Sequence, residues 1–171
     1  MIDENLIVFA QGMKAFMYDA VKKNQKEELY QHVPKNPNNN FFIDKIIVNQ
    51  LDPAFFIVQI NEEGNKIFTI KRKESYLNFP YVIRTYEALD TCFISRSQVA
   101  ILHSPNELHI VSASNKDDKT RTVLKLSNSL KIKAIFSSME ENVMIFTTEN
   151  CIAQYDVKNG KILGQLTIED L

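Results

Sequence analysis

Apolar residues in this chain gather in short runs, and the runs come in pairs that recur with a period of about 44 to 48 residues. Leu6 to Ala10, Phe55 to Ile60, Val99 to Leu102 and Val143 to Phe146 open the pairs. Ala15 to Tyr18, Ile67 to Ile70, Leu108 to Val111 and Ile152 to Tyr155 close them, each after a polar turn. Runs this short have strand length. A repeating unit that holds several of them predicts a β-propeller blade, not a helical repeat.

The C-terminal half shows the pattern most clearly. Thr91 to Ser95, Gln98 to Leu102, Leu108 to Ala113 and Thr122 to Leu126 read as one meander of strands. Ile132 to Phe136, Val143 to Thr147, Ile152 to Val157 and Ile162 to Ile168 read as the next, offset by about 44 residues. Turn residues separate them at Ser104-Pro105-Asn106, Asn115 to Lys119, Glu140-Glu141-Asn142 and Lys158-Asn159-Gly160. Asn159-Gly160 carries the signal of a type I′ hairpin, which needs positive φ at both central residues. The second strand of each meander is apolar at consecutive positions, as an inner strand covered on both faces must be. The fourth alternates: Thr122, Leu124 and Leu126 fall on one face, with Arg121, Val123 and Lys125 on the other.

Further upstream, Phe41 to Val48, Phe55 to Ile60, Lys66 to Ile70 and Tyr81 to Tyr86 read as strands, and Pro34 to Asn40 as a loop. The only stretch with room for a helix is Asp19 to Tyr30, where apolar residues are too sparse for an amphipathic stripe. The fold class predicted is all-β, a partial β-propeller of roughly four WD40-like blades built from four-stranded antiparallel sheets. The blades fall at residues 1–33, 41–87, 90–127 and 130–171. Because the first reads as starting at its second strand, the chain is expected to be a piece of a larger propeller. Such a piece exposes apolar faces at its ends. Self-association through those open ends is expected, the outward share of Val143, Ile145, Phe146 and Ile152 in the last blade forming an apolar area.

Composition adds exclusions. A net charge of −1 supplies no basic field for nucleic acid. The lysines at Lys22 to Lys26 and Lys71 to Lys73 have acidic neighbours and read as solvated turns. Met1 to Glu4 is acidic and the next apolar run is short, so no leader is expected and the reading is cytosolic. Cys92 and Cys151 sit in strand-like runs and are expected to be buried, reduced and unlinked.

No catalytic, cofactor-binding or metal-binding residues are assigned. His32, His103 and His109 lack ligand spacing, although His103 and His109 flank one hairpin. Gly12, Gly64, Gly160 and Gly164 are too few and too scattered for a phosphate-cradling loop. Phe9, Phe16, Phe55, Phe56, Phe68, Phe93, Phe136 and Phe146 read as core, whereas Phe79-Pro80-Tyr81 lies in a connector as a candidate contact. Asp117, Asp118, Glu140 and Glu141, in neighbouring turns, leave open a second function: capture of a basic peptide at a propeller mouth. A propeller enzyme would need a converging polar cluster that the sequence does not show.

Residues Thr91 to Leu102, Leu108 to Val111, Asn142 to Thr148 and Cys151 to Ile168 resemble the second propeller of the coatomer alpha-subunit family. Phe9 to Asp19 resembles the stretch that follows that family's first propeller. The second propeller of coatomer beta-prime is the nearest alternative, and Ile94 to Leu102 favours alpha. The Trp-Asp pair of WD repeats appears here only as Tyr18-Asp19 and Tyr155-Asp156. The resemblance implies a structural part of the COPI vesicle coat, active in Golgi-to-ER and intra-Golgi transport. It implies other coatomer subunits as partners and a peripheral place on Golgi membranes and coated vesicles, held through the coat. The family's dilysine-cargo site belongs to its first propeller, so no cargo residue carries over.

Overall fold

The computed structural model describes residues 6–11, 14–19, 26–31, 40–72, 81–114 and 121–167. It divides into two compact units, Met1–Glu87 and Ala88–Leu171. Every regular element among the described residues is a strand.

In the first unit, β1 (Leu6–Gln11), β2 (Lys14–Asp19) and β3 (Lys26–Gln31) form an antiparallel sheet in chain order. Lys26–Gln31 thus corrects the allowance for a helix over Asp19 to Tyr30. With no apolar stripe to anchor a helix, the segment satisfies its backbone along β2, and Lys14 Nζ meets Glu28 Oε2 at 2.7 Å across the pair. Next come β4 (Phe41–Val48), β5 (Phe55–Glu62), β6 (Asn65–Arg72) and β7 (Tyr81–Glu87), again in chain order. Ala15 of β2 joins Phe56, Val58, Ile60 and Ile67 in one buried cluster, so the two sheets of this unit share a core.

The β5–β6 hairpin turns on Glu63 and Gly64, both at positive φ (52° and 86°), with Glu62 paired to Asn65. Asn61 Oδ1 accepts the Gly64 N–H at 3.0 Å. This is the two-residue turn whose twist matches its strands.

In the second unit, β8 (Asp90–Phe93), β9 (Gln98–Ser104), β10 (Glu107–Ser112) and β11 (Arg121–Lys125) form one meander. The next is β12 (Ala134–Ser137), β13 (Val143–Thr147), β14 (Cys151–Asp156) and β15 (Lys161–Thr167). Cys92, Ala100, Leu102, Leu108 and Ile110 of the first sheet pack against Ile135, Met144, Phe146, Ala153 and Tyr155 of the second. Fully burying side chains of this size stabilises by about 1.5–3 kcal/mol each. The seam is also polar. Asp90 Oδ2 accepts the Ile135 N–H at 2.9 Å in a buried bond, and Ile94 O accepts the Asn142 N–H at 2.6 Å. Asn142 takes φ 63°, a conformation asparagine tolerates better than most residues.

Three expectations change here. Asn159-Gly160 is no type I′ turn, because among these two only Gly160 has positive φ. The Asp156 carboxylate accepts the backbone N–H of Asn159 at 3.0 Å and its side-chain amide at 2.6 Å. That capture draws the loop out to four residues, since Asp156 pairs with Lys161. Val143 and Phe146 are buried, not outward, at 6% and 0% exposure. Phe136, expected in the core, is 47% exposed. β13 is apolar at consecutive positions, so its sequence gives no sign of which face meets the neighbouring sheet. Phe55, Phe56, Phe68, Phe93 and Phe146 are core residues, and Phe16 is half-buried. The side chain of Phe9 lies outside the described residues.

Candidate functional site

The described residues hold two polar clusters and one open apolar face. The first cluster lies where β9 meets β10. A register shift at Glu107/Leu108 leaves His103 as an extra residue on β9, and its ring stacks on His109 with centroids 4.7 Å apart and planes 15° from parallel. His109 is buried, and its Nε2 donates to Glu107 Oε1 at 2.6 Å. This hydrogen bond holds the Glu107 carboxyl below its usual range, against a smaller opposing effect of desolvation. Stacked rings aim their nitrogens past each other and not at a common point. Among the described residues no three His, Cys, Asp or Glu side chains converge as a metal site. The cluster anchors a bulge; sequence spacing placed the two histidines on one hairpin but could not foresee the stack.

The second cluster contradicts a sequence reading. Lys71 was expected in a solvated turn, yet it lies in β6 at 7% exposure. Burial pulls its ammonium down to about 8, partly offset by the negative charge of Glu28. Alternation could not have shown this: both faces of β6 are buried, Ile67, Thr69 and Lys71 on one and Phe68 and Ile70 on the other. Arg72, next along, lies over the Phe55 ring at 5.0 Å.

The open face belongs to the sheet β12–β15. Every residue of β15 up to Leu166 is exposed, including Ile162, Leu163 and Leu166 at 41%, 45% and 55%. A shallow cavity of about 280 Å³ sits there, lined by Ile145, Ile152, Gln154, Gly164 and Leu166 among others. Glu140 and Glu141 are exposed in a turn, with Arg96 3.6 Å from Glu141. Cys92 and Cys151 are buried and are not joined by a disulfide. His32, Phe79, Pro80, Asp117 and Asp118, and the side chain of Tyr81, lie outside the described residues. No helix among the described residues is long and apolar enough to cross a membrane.

No family model matches the chain, and no curated protein matches it. Solved structures do. Hsv2 from Kluyveromyces marxianus matches with a TM-score of 0.64 at 11% identity, covering 96% of this chain and 47% of that one. Kluyveromyces lactis Hsv2, solved with a complete loop 6CD, matches with a TM-score of 0.65 at 11% identity, over 96% and 48% of the two chains. These neighbours are propellers. This chain is a partial β-propeller. It spans about half the length of the structures it matches. Blade order explains its burial gradient: the inner strand β9 is covered on both faces and β13 on the face of Met144 and Phe146, while the outer strands β11 and β15 meet water.

Proposed function

We propose that this propeller is a scaffold element of a COPI-type vesicle coat, of the coatomer alpha kind, working by protein–protein contact on the cytosolic face of Golgi membranes. The observation that carries the reading is the match of sequence resemblance to structural role. The residues that resemble coatomer alpha, Thr91 to Leu102, Leu108 to Val111, Asn142 to Thr148 and Cys151 to Ile168, cover strands of two packed blades, from β8, β9 and β10 to β13, β14 and the outer strand β15. The likeness therefore lies in the positions that specify a blade and its neighbour. A coat subunit needs rigid sheets held at fixed angles, and the Asp90–Ile135 and Ile94–Asn142 bonds across the seam supply rigidity. Coatomer beta-prime remains the alternative within the same coat.

Binding of the purified chain to purified coatomer subunits tests the proposal. Saturable binding to one of them supports it. If the chain instead binds a C-terminal dilysine peptide more tightly than about 100 μM, some 5 to 6 kcal/mol, and no coat subunit, it is a peptide-capture module and the coat reading falls.

A further inference from the structure

We propose that the outer face of β12–β15 is a dimerisation surface, on which a second copy of this chain packs about a two-fold axis parallel to the strands. The proposal rests on that face alone and does not depend on the coat reading.

The face holds two uncharged cross-strand rows, with a third row of Val143, Asp156 and Lys161 at one end. One row is Phe136, Ile145, Gln154 and Gly164, and the other is Ala134, Thr147, Ile152 and Leu166. The preceding sheet carries the same two rows at its own positions: Cys92, Ala100, Ile110 and Thr122, then Asp90, Leu102, Leu108 and Leu124. In that sheet the rows are a sheet-binding surface, sealed under β12–β15, with Cys92 at 1% and Leu108 at 0% exposure. Their counterparts Phe136 and Ile152 are 47% and 42% exposed, and Leu166 is 55% exposed. A surface that binds a sheet in one repeat thus recurs uncovered, among the described residues, in the next. No side chain in these two rows is ionisable; the charges of Asp156 and Lys161 lie in the third row, at one end of the face.

The occupant follows from the shape of the rows. The first runs from bulky Phe136 at one edge to Gly164 at the other. The second runs the opposite way, from Ala134 to Leu166. A two-fold axis along the strands reverses each row on its mate. Phe136 of one copy then lies over Gly164 of the other, and Leu166 over Ala134. Large meets small at both edges, and both copies gain the same fit. The room exists: a Cβ built on Gly164 meets nothing within 4 Å, and the cavity of about 280 Å³ opens beside it. Gly164 is not at positive φ, so its backbone does not require glycine. Two apolar sheet faces packed in this way interdigitate as they do in a sandwich.

Sedimentation equilibrium of the full 171-residue chain tests the proposal. The wild type is expected as a species of twice 19.7 kDa at micromolar concentration. Gly164→Leu fills the notch without straining the backbone and should weaken dimerisation by about tenfold or more, a change of at least 1.4 kcal/mol, with an unchanged circular dichroism spectrum. Phe136→Gly should do the same. Combining Phe136→Gly with Gly164→Phe exchanges knob and hole and should restore the dimer. A wild type found only at 19.7 kDa overturns the proposal. So does a Gly164→Leu variant that dimerises like the wild type, or a double variant no tighter than either single one.

Discussion

Lys71 shows what a single residue contributes when its burial conflicts with its charge. In the unfolded chain its ammonium titrates near 10.5, and in the fold burial brings this to about 8. The folded state therefore binds its proton less tightly, and stability rises with pH between those values. Below pH 8 the fold carries a charge that its surroundings penalise; as pH climbs towards 10, the folded lysine goes neutral while the unfolded one stays charged. The unfolding free energy of the first unit should rise over pH 8 to 10 by on the order of 1 kcal/mol after solvent screening. Lys71→Met should flatten that rise. Above pH 10 Tyr155 acts in the opposite sense, because burial raises its hydroxyl and the fold holds that proton longer. A second residue-scale prediction concerns the seam. Asp90→Ala removes the acceptor for the buried Ile135 N–H and should cost about 1–3 kcal/mol in urea unfolding, whereas Asp90→Asn, which keeps an acceptor oxygen, should lose less.

At the scale of elements, inner and outer strands should differ in how much they tolerate. Met144 on β13 is fully buried between packed sheets, so Met144→Ala should destabilise by about 2–5 kcal/mol. Val123 on the outer strand β11 is 41% exposed, and Val123→Ser should change stability by less than about 1 kcal/mol. Paired thermal unfolding curves check the contrast. The strands themselves were legible because each carries its own period and its own turn residues: the span Val143 to Thr147 matches β13, and Phe41 to Val48 matches β4. Facing was legible only where polar residues alternate with apolar ones. In β12 and β13 they do not, which is why Phe136 was placed inward and Val143 and Phe146 were counted in the outward face. The Asn159 turn was misread for a different reason. Its nearest competitor for hydrogen bonds, the Asp156 carboxylate, lies three residues away and acts only once the hairpin has formed. The stacked histidines were hidden because a bulge at Glu107/Leu108 leaves no mark in residue type.

For the whole molecule, a repeat was enough to give the fold class, and the likeness to longer propellers supports it at 11% identity. Function is less legible. The partner surfaces of a propeller are ordinary strand faces whose meaning depends on what meets them. The open face of β12–β15 belongs to this scale, since its complementarity exists only between copies. So does the coat reading, which combines a family likeness in blade-forming residues with a rigid two-blade seam. Quantitative capture from cytosol, with the immobilised chain and a blank resin compared by mass spectrometry, tests it most directly. The account predicts coatomer subunits enriched together by about tenfold or more, a difference of at least 1.4 kcal/mol in binding. Recovery of coatomer subunits at the level of the blank resin would contradict it.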